Sequence, residues 1–155
     1  MELEGSHTFD AARDRVWELL NDPDVLVRIT TGLKQLDPEG DDSYRAIFQI
    51  KMGPIDSSFQ GTMKVVEKVA PVSYKLLINV DAKIGVVSAK GEIHLQESGP
   101  RTLLNFSGRA DISGKLAQLG QRVMSGVGKH FTNQFFQSLE KELASGEVTE
   151  QEVKS

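Results

Sequence analysis

The chain of 155 residues contains no cysteine, one tryptophan and only three histidines. Without cysteine there can be no disulfide, no thiolate nucleophile and no thiolate metal site. The histidines, His7, His94 and His130, are too dispersed to form a ligand pair at helical or strand spacing, so no metal site is expected. No stretch approaches the about 20 apolar residues that cross a bilayer as a helix. Basic residues are outnumbered, 18 against 22 acidic, for a net charge of −4. That balance offers no broad phosphate-neutralising surface and excludes nucleic acid as a partner class. The opening Met1-Glu2-Leu3-Glu4-Gly5 is acidic and lacks a signal-peptide core, so a soluble, cytoplasmic protein is expected.

What is present is 39% hydrophobic residues and a generous 14 glycines. The length suits one domain with its own core, placed at 1–144, while the polar, acidic stretch 145–155 is expected to be a disordered tail. Residues 2–9 alternate with Leu3, His7 and Phe9 on one face, which predicts a half-buried strand. Asp10 is an expected N-cap for a helix carrying Val16, Trp17 and Leu20, and Asp22-Pro23 opens a second short helix through about Val27. Thr30-Thr31-Gly32 ends it. From Leu33 to Ile112 the hydrophobic period is two, and turn signals at Glu39–Asp42, Gly53-Pro54, Ala70–Ser73, Ile84-Gly85 and Ser98–Pro100 divide the stretch into six strands. Short connections make neighbours antiparallel. A single long helix is expected over 113–144, with Leu116, Leu119, Val123, Val127, Phe131, Phe135, Leu139 and Leu143 as its buried stripe. The fold class is therefore α+β: a seven-stranded curved antiparallel sheet wrapped around a long C-terminal helix, with two short helices after the first strand.

The inward strand faces are unevenly filled. Gly61, Ala82, Ala89, Gly91, Gly108 and Ala110 cluster towards one end, and Gly120, Gly126 and Gly128 thin the facing part of the helix. A close-packed interior needs volume there. Either helix and sheet approach closely or an apolar cavity stays open, and residue types alone leave both readings standing. The cavity reading takes as its wall Tyr44, Phe48, Ile50, Phe59, Gly61, Met63, Ile78, Val80, Ala82, Ala89, Gly91, Ile93, Phe106, Gly108, Ala110, Leu116, Gly120, Val123 and Val127. The turns at this end are apolar, so Gly32, Pro54, Ile55, Ile84, Val86 and Ile112 form the expected mouth, or else tuck under the helix.

Catalysis would need an acid–base pair at the cavity, and the inward faces offer only Tyr44. The three histidines are more simply structural or solvated. Ser57-Ser58 has no neighbouring base, and Gly126-Val127-Gly128 lies in a helical pattern rather than a phosphate loop. Lys115, Arg122 and Lys129 could meet anionic lipid or an acidic partner, though a solvated helix face accounts for them. No catalytic residue is assigned.

Several stretches read together: Phe9-Asp10-Ala11 with Val16-Trp17 and Asn21-Asp22-Pro23; Gly53-Pro54-Ile55 before Phe59-Gln60-Gly61; Ala70-Pro71-Val72-Ser73-Tyr74; Ala89-Lys90-Gly91; Gly114 to Gly120; and Phe135-Phe136. Over nearly all of 1–144 they resemble the CoxG family of carbon monoxide dehydrogenase subunits, within the START/Bet v 1-like (SRPBCC) superfamily. The resemblance implies a helix-grip fold and a non-catalytic domain that holds a hydrophobic small molecule, a lipid or quinone, with no covalent cofactor. It further implies a molybdenum-containing CO dehydrogenase-like hydroxylase and the inner membrane surface as partners. The alternative is an interaction or assembly subunit with an incidental cavity, and behind it a cyclase or hydrolase of the same fold. One departure stands out: Arg28-Ile29-Thr30-Thr31-Gly32-Leu33 replaces the Pro-Gly pair, often with nearby cysteines, usual in that family.

Overall fold

In the computed structural model the backbone is described for residues 1–154 and the side chains for 1–145, so the tail expected over 145–155 falls outside the described side chains from residue 146 onward. The elements run β1 (Glu2–Phe9), α1 (Arg13–Leu20), α2 (Pro23–Ile29), β2 (Leu33–Pro38), β3 (Ser43–Met52), β4 (Ile55–Val69), β5 (Ser73–Ala82), β6 (Gly85–Ser98), β7 (Arg101–Ser113), a 3-10 segment (Gly114–Leu119) and α3 (Gln121–Lys154). All seven strands form one antiparallel sheet in the order β1-β7-β6-β5-β4-β3-β2. Each short turn places consecutive strands side by side, and only β1 pairs out of sequence, against β7. The sheet curls over α3. A bulge between Val66 and Val69, where Glu67 adopts a φ of 51°, contributes to the bend of β4.

The early helices differ in how they begin. Asp22 caps α2 as expected, its side chain accepting from the Asp24 amide at 3.0 Å, with Pro23 in the first turn. Asp10 does not cap α1. Phe9 and Ala11 are both buried, so the chain stays extended past Asp10, and Ala12 occupies the N-cap without a side-chain bond.

The long C-terminal element is not one helix from residue 113. Gly114 and Gly120 take φ values of 76° and 89°, a left-handed region that suits glycine, and they bracket the 3-10 segment before α3 starts at Gln121. The buried stripe also differs. Because 3.6 residues make a turn, a strict four-residue repeat drifts by about 40° per step. Tracing back from Val127 and Phe131, the inward position is Met124, which is buried, while Val123 is 40% exposed.

The best-packed region lies under α1 and α2. Phe9, Val16, Leu104 and Leu139 are fully buried there with Tyr74, Leu95 and Phe136. Phe136 makes edge contacts with Phe9 at 5.9 Å and Phe106 at 5.4 Å, and the His7 ring stacks on it at 5.1 Å. Ion pairs from His7 to Glu140 and from Arg28 to Glu142 tie β1 and α2 to α3. Thr102, also fully buried, donates from Oγ1 to the Ala11 carbonyl at 2.7 Å and fixes the β1–α1 connection to β7. Thr102→Val keeps the shape but leaves that carbonyl unpaired, and should lower stability by about 1–3 kcal/mol in urea unfolding.

Candidate functional site

A cavity of ≈ 460 Å³ lies between the concave sheet face and the first half of α3. The sheet contributes Phe48 and Ile50 from β3, Ile55, Phe59, Met63 and Val65 from β4, and Tyr74, Leu76, Ile78 and Val80 from β5. Val87, Ala89, Gly91 and Ile93 follow on β6, and Leu104, Phe106, Gly108, Ala110 and Ile112 on β7. Opposite them stand Leu116 and the α3 face of Met124, Val127, Gly128, Phe131, Thr132, Phe135 and Phe136. Leu20, Leu26, Thr30 and Leu33 close the side towards α1, α2 and β2, with Met1 and Leu3 at the β1 edge.

The empty space has an identifiable cause. Gly91 and Gly108 are direct partners across β6 and β7, and Leu3 of β1 faces Gly108. A Cβ on Gly91 would meet nothing closer than 3.8 Å, and one on Gly108 nothing closer than 3.4 Å. Two adjacent inward positions therefore carry no side chain although there is room for one. The sheet is one backbone thick here. A charged depression of ≈ 630 Å³ on its outer face, bordered by Glu2, Glu4, Lys75, Lys90, Glu92 and Arg109, shares Leu3, Gly91 and Gly108 with the interior cavity.

Other glycines serve different ends. Gly61 is not a cavity position: a Cβ there would lie 1.9 Å from the Asn79 carbonyl oxygen, so the residue permits close approach of β5. Gly128 meets Leu3 at 2.7 Å in the same sense, and Gly120 sits in the turn before α3. Tyr44 and Ala82 also leave the wall. Tyr44 packs with Leu36, Ala46 and Met63 at the far end of β3, and Ala82 lies at the end of β5 beside the Ile55–Leu116 cluster. Val123 is off the wall because of the helix phase described above.

The expected mouth is largely closed. Ile55 and Ile112 are on the cavity wall, with Ile55 only 3% exposed. Ile84 packs under the 3-10 segment, its carbonyl accepting from the Leu116 amide at 2.8 Å. Pro54 is an exposed turn residue, and Val86 lies outside at 46% exposed. Gly32 packs against β3, its carbonyl accepting from the Gln49 amide at 2.8 Å, and a Cβ would strike the Ile50 side chain. The unusual stretch Arg28–Leu33 does reach the cavity, through Thr30 and Leu33.

Polar chemistry on the wall is sparse. Lys90, Glu92, Ser107 and Arg109 alternate with inward positions and belong to the outer face. His94 contacts Glu92 at 3.0 Å on that face, His7 lies between Phe136 and Glu140, and His130 is exposed, so no histidine lines the cavity. Among the described residues no group of three His, Asp or Glu is placed to hold a metal. The tyrosine of the cavity is Tyr74, not Tyr44. Its strand parity, two before Leu76, is the signal that points inward, and the adjacent Pro71–Ser73 turn masks it. Burial pushes the Tyr74 phenol well above its ordinary pKa.

These observations make two expectations. Gly91→Ala should raise stability by about 0.5–1 kcal/mol in urea unfolding, by restricting the unfolded chain at a site with room for the methyl. Gly61→Ala should instead lower it by about 1–3 kcal/mol, because the clash is with backbone. A raised phenol pKa means that Tyr74 contributes stability fully below the unfolded value near about 10 and loses it as pH climbs above that value. Tyr74→Phe should therefore show a shallower alkaline fall in melting temperature than wild type.

A family model for the CoxG subunit of carbon monoxide dehydrogenase matches residues 5–144. A conserved protein from Geobacillus kaustophilus is 32% identical, with a TM-score of 0.91 over 94% of this chain and 96% of that one. A START superfamily protein from Mycobacterium smegmatis is 10% identical, with a TM-score of 0.72 over 93% and 97%. A Thermus thermophilus protein is 11% identical, also at 0.72, over 94% and 99%. The last two are likenesses of fold. No curated protein matches the chain.

Proposed function

The chain belongs to the CoxG family of carbon monoxide dehydrogenase subunits, and on that premise we propose that it is a non-catalytic carrier of a hydrophobic small molecule, a lipid or quinone, serving a molybdenum-containing CO dehydrogenase-like hydroxylase at the membrane. The observation that supports this most is the cavity. It is nearly all aliphatic and aromatic, and ≈ 460 Å³ is within the range that holds a small organic ligand. The paired Gly91 and Gly108 keep open a space that any larger side chain would fill. An enzyme that releases electrons from its substrate needs an acceptor, and a lipophilic acceptor needs such a shelter from water.

The membrane side of the proposal draws support from the end of the molecule beside the 3-10 segment. Exposed Val86 and Val123 lie on elements that also carry the exposed Lys115 and Arg122, with Lys83 in the adjoining turn, an apolar and cationic combination suited to an anionic surface. Among the described residues no helix is long and apolar enough to cross a membrane, so contact would be peripheral.

The test is mass spectrometry of organic extracts of the purified protein, with titration by decylubiquinone. A co-purifying lipophile or saturable quinone binding is expected, and Gly91→Leu should weaken that binding about tenfold or more while circular dichroism is unchanged, because the side chain occupies the ligand's volume. Empty extracts together with no quinone binding would overturn the carrier reading. Pull-down of hydroxylase subunits by both wild type and Gly91→Leu, with no ligand in either, would leave an assembly subunit whose cavity is incidental.

A further inference from the structure

One polar group on the cavity wall has no partner. Tyr74 is 4% exposed, and its hydroxyl makes no hydrogen bond among the described residues. The ring is held on one side by an edge contact with Trp17 at 5.5 Å and sits among Leu20, Leu95, Leu104 and Leu139. The other inward hydroxyls differ. Thr132 commits its proton to the Gly128 carbonyl at 2.9 Å, which leaves only acceptor capacity, and Thr30 stands half-buried at the end of α2. An unpaired hydroxyl in so apolar a setting carries a desolvation penalty that a ligand's acceptor atom would relieve. Burial also keeps the phenol protonated, so the group is a neutral donor under ordinary conditions.

Charge narrows the ligand further. The cations nearest in the sheet, Lys90 and Arg109, lie on its outer face, and no inward-facing Lys or Arg lines the cavity. A carboxylate or phosphate placed inside would be a buried charge without a counterion. A ketone, quinone or ester oxygen suffers no such penalty.

Building on the carrier reading, we propose that Tyr74 is the specificity-determining donor of this cavity, and that the ligand is an uncharged lipophile that presents an acceptor oxygen at the end under Trp17 and the early helices. Its apolar body then extends along the Gly91–Gly108 gap towards Leu116. The hydroxyl thereby orients the ligand, its polar head at the well-packed end and its tail towards the 3-10 segment.

The experiment uses the full chain and two probes with one carbon skeleton, heptanophenone and heptylbenzene, each displacing the neutral fluorophore N-phenyl-1-naphthylamine. Wild type should bind the ketone more tightly, and Tyr74→Phe should weaken ketone binding by about five- to tenfold, with heptylbenzene unchanged or tighter. The carbonyl infrared band of bound heptanophenone should sit at lower wavenumber in wild type than in Tyr74→Phe. Equal ketone affinity and an unshifted band in the two proteins would overturn the role of Tyr74 while leaving the carrier reading intact. Failure of the fluorophore and of both probes to bind would remove the carrier reading itself. A lower melting temperature for Tyr74→Phe at neutral pH would show that the hydroxyl is already satisfied within the protein, and would overturn the proposal. Laurate binding at pH 8 as tight as heptanophenone would overturn its restriction to uncharged ligands.

Discussion

The grip of the sheet on α3 is concentrated in one half of the helix, and the remaining features follow from that asymmetry. Phe136 and Leu139 are clamped between Phe9, Leu104 and the early helices, and ion pairs from His7 and Arg28 bind the same stretch from two sides. Close packing there gains dispersion and removes apolar surface from water. With the C-terminal half of the helix so anchored, its first half can span the sheet without filling every position beneath it. The cavity lies along that stretch.

The thinning is built from glycines that look alike and act differently. Gly61 and Gly128 let backbone or side chain come close, and a methyl would be expelled at either. Gly114 and Gly120 allow the chain to turn into and out of the 3-10 segment. Gly91 and Gly108 alone are inward strand positions with open space before them. A strand interior disfavours glycine on both entropic and packing grounds, so a facing pair of such residues marks a place where empty volume carries weight. The same pair leaves only one layer of backbone between the apolar interior and a charged outer depression.

Much of this architecture was legible in the amino-acid order because it rests on local rules. Period-two alternation from Leu33 to Ile112, punctuated by glycine and proline, can form little except a meander, and the Asp22-Pro23 signal opens a helix wherever it occurs. Less legible were features that depend on phase or on distant neighbours. The four-residue run Val123–Val127–Phe131–Phe135 suggests one stripe, yet helical drift turns Val123 outward and brings Met124 in. Tyr74 shares the parity of Leu76, but the turn just before it obscures that relation. The contributions of Leu26, Thr30 and Leu33 to the cavity had no sequence signal, since α2 reaches it only because Arg28 and the core dock that helix against α3.

By itself, then, the sequence determined the strand order, the single long helix packed against the sheet, the lack of thiol and histidine metal chemistry, and the scarcity of volume on β6 and β7. These follow from residue type and spacing, which act over a few residues. Only the tertiary structure decided which glycine faces open space and which faces a carbonyl oxygen, since both have the same side-chain signature. It likewise decided that Ile55 and Ile84 fold beneath the 3-10 segment rather than project as a mouth, and that the one unpartnered hydroxyl on the cavity wall belongs to Tyr74. Those outcomes depend on contacts between residues far apart in the chain, and no local pattern records them.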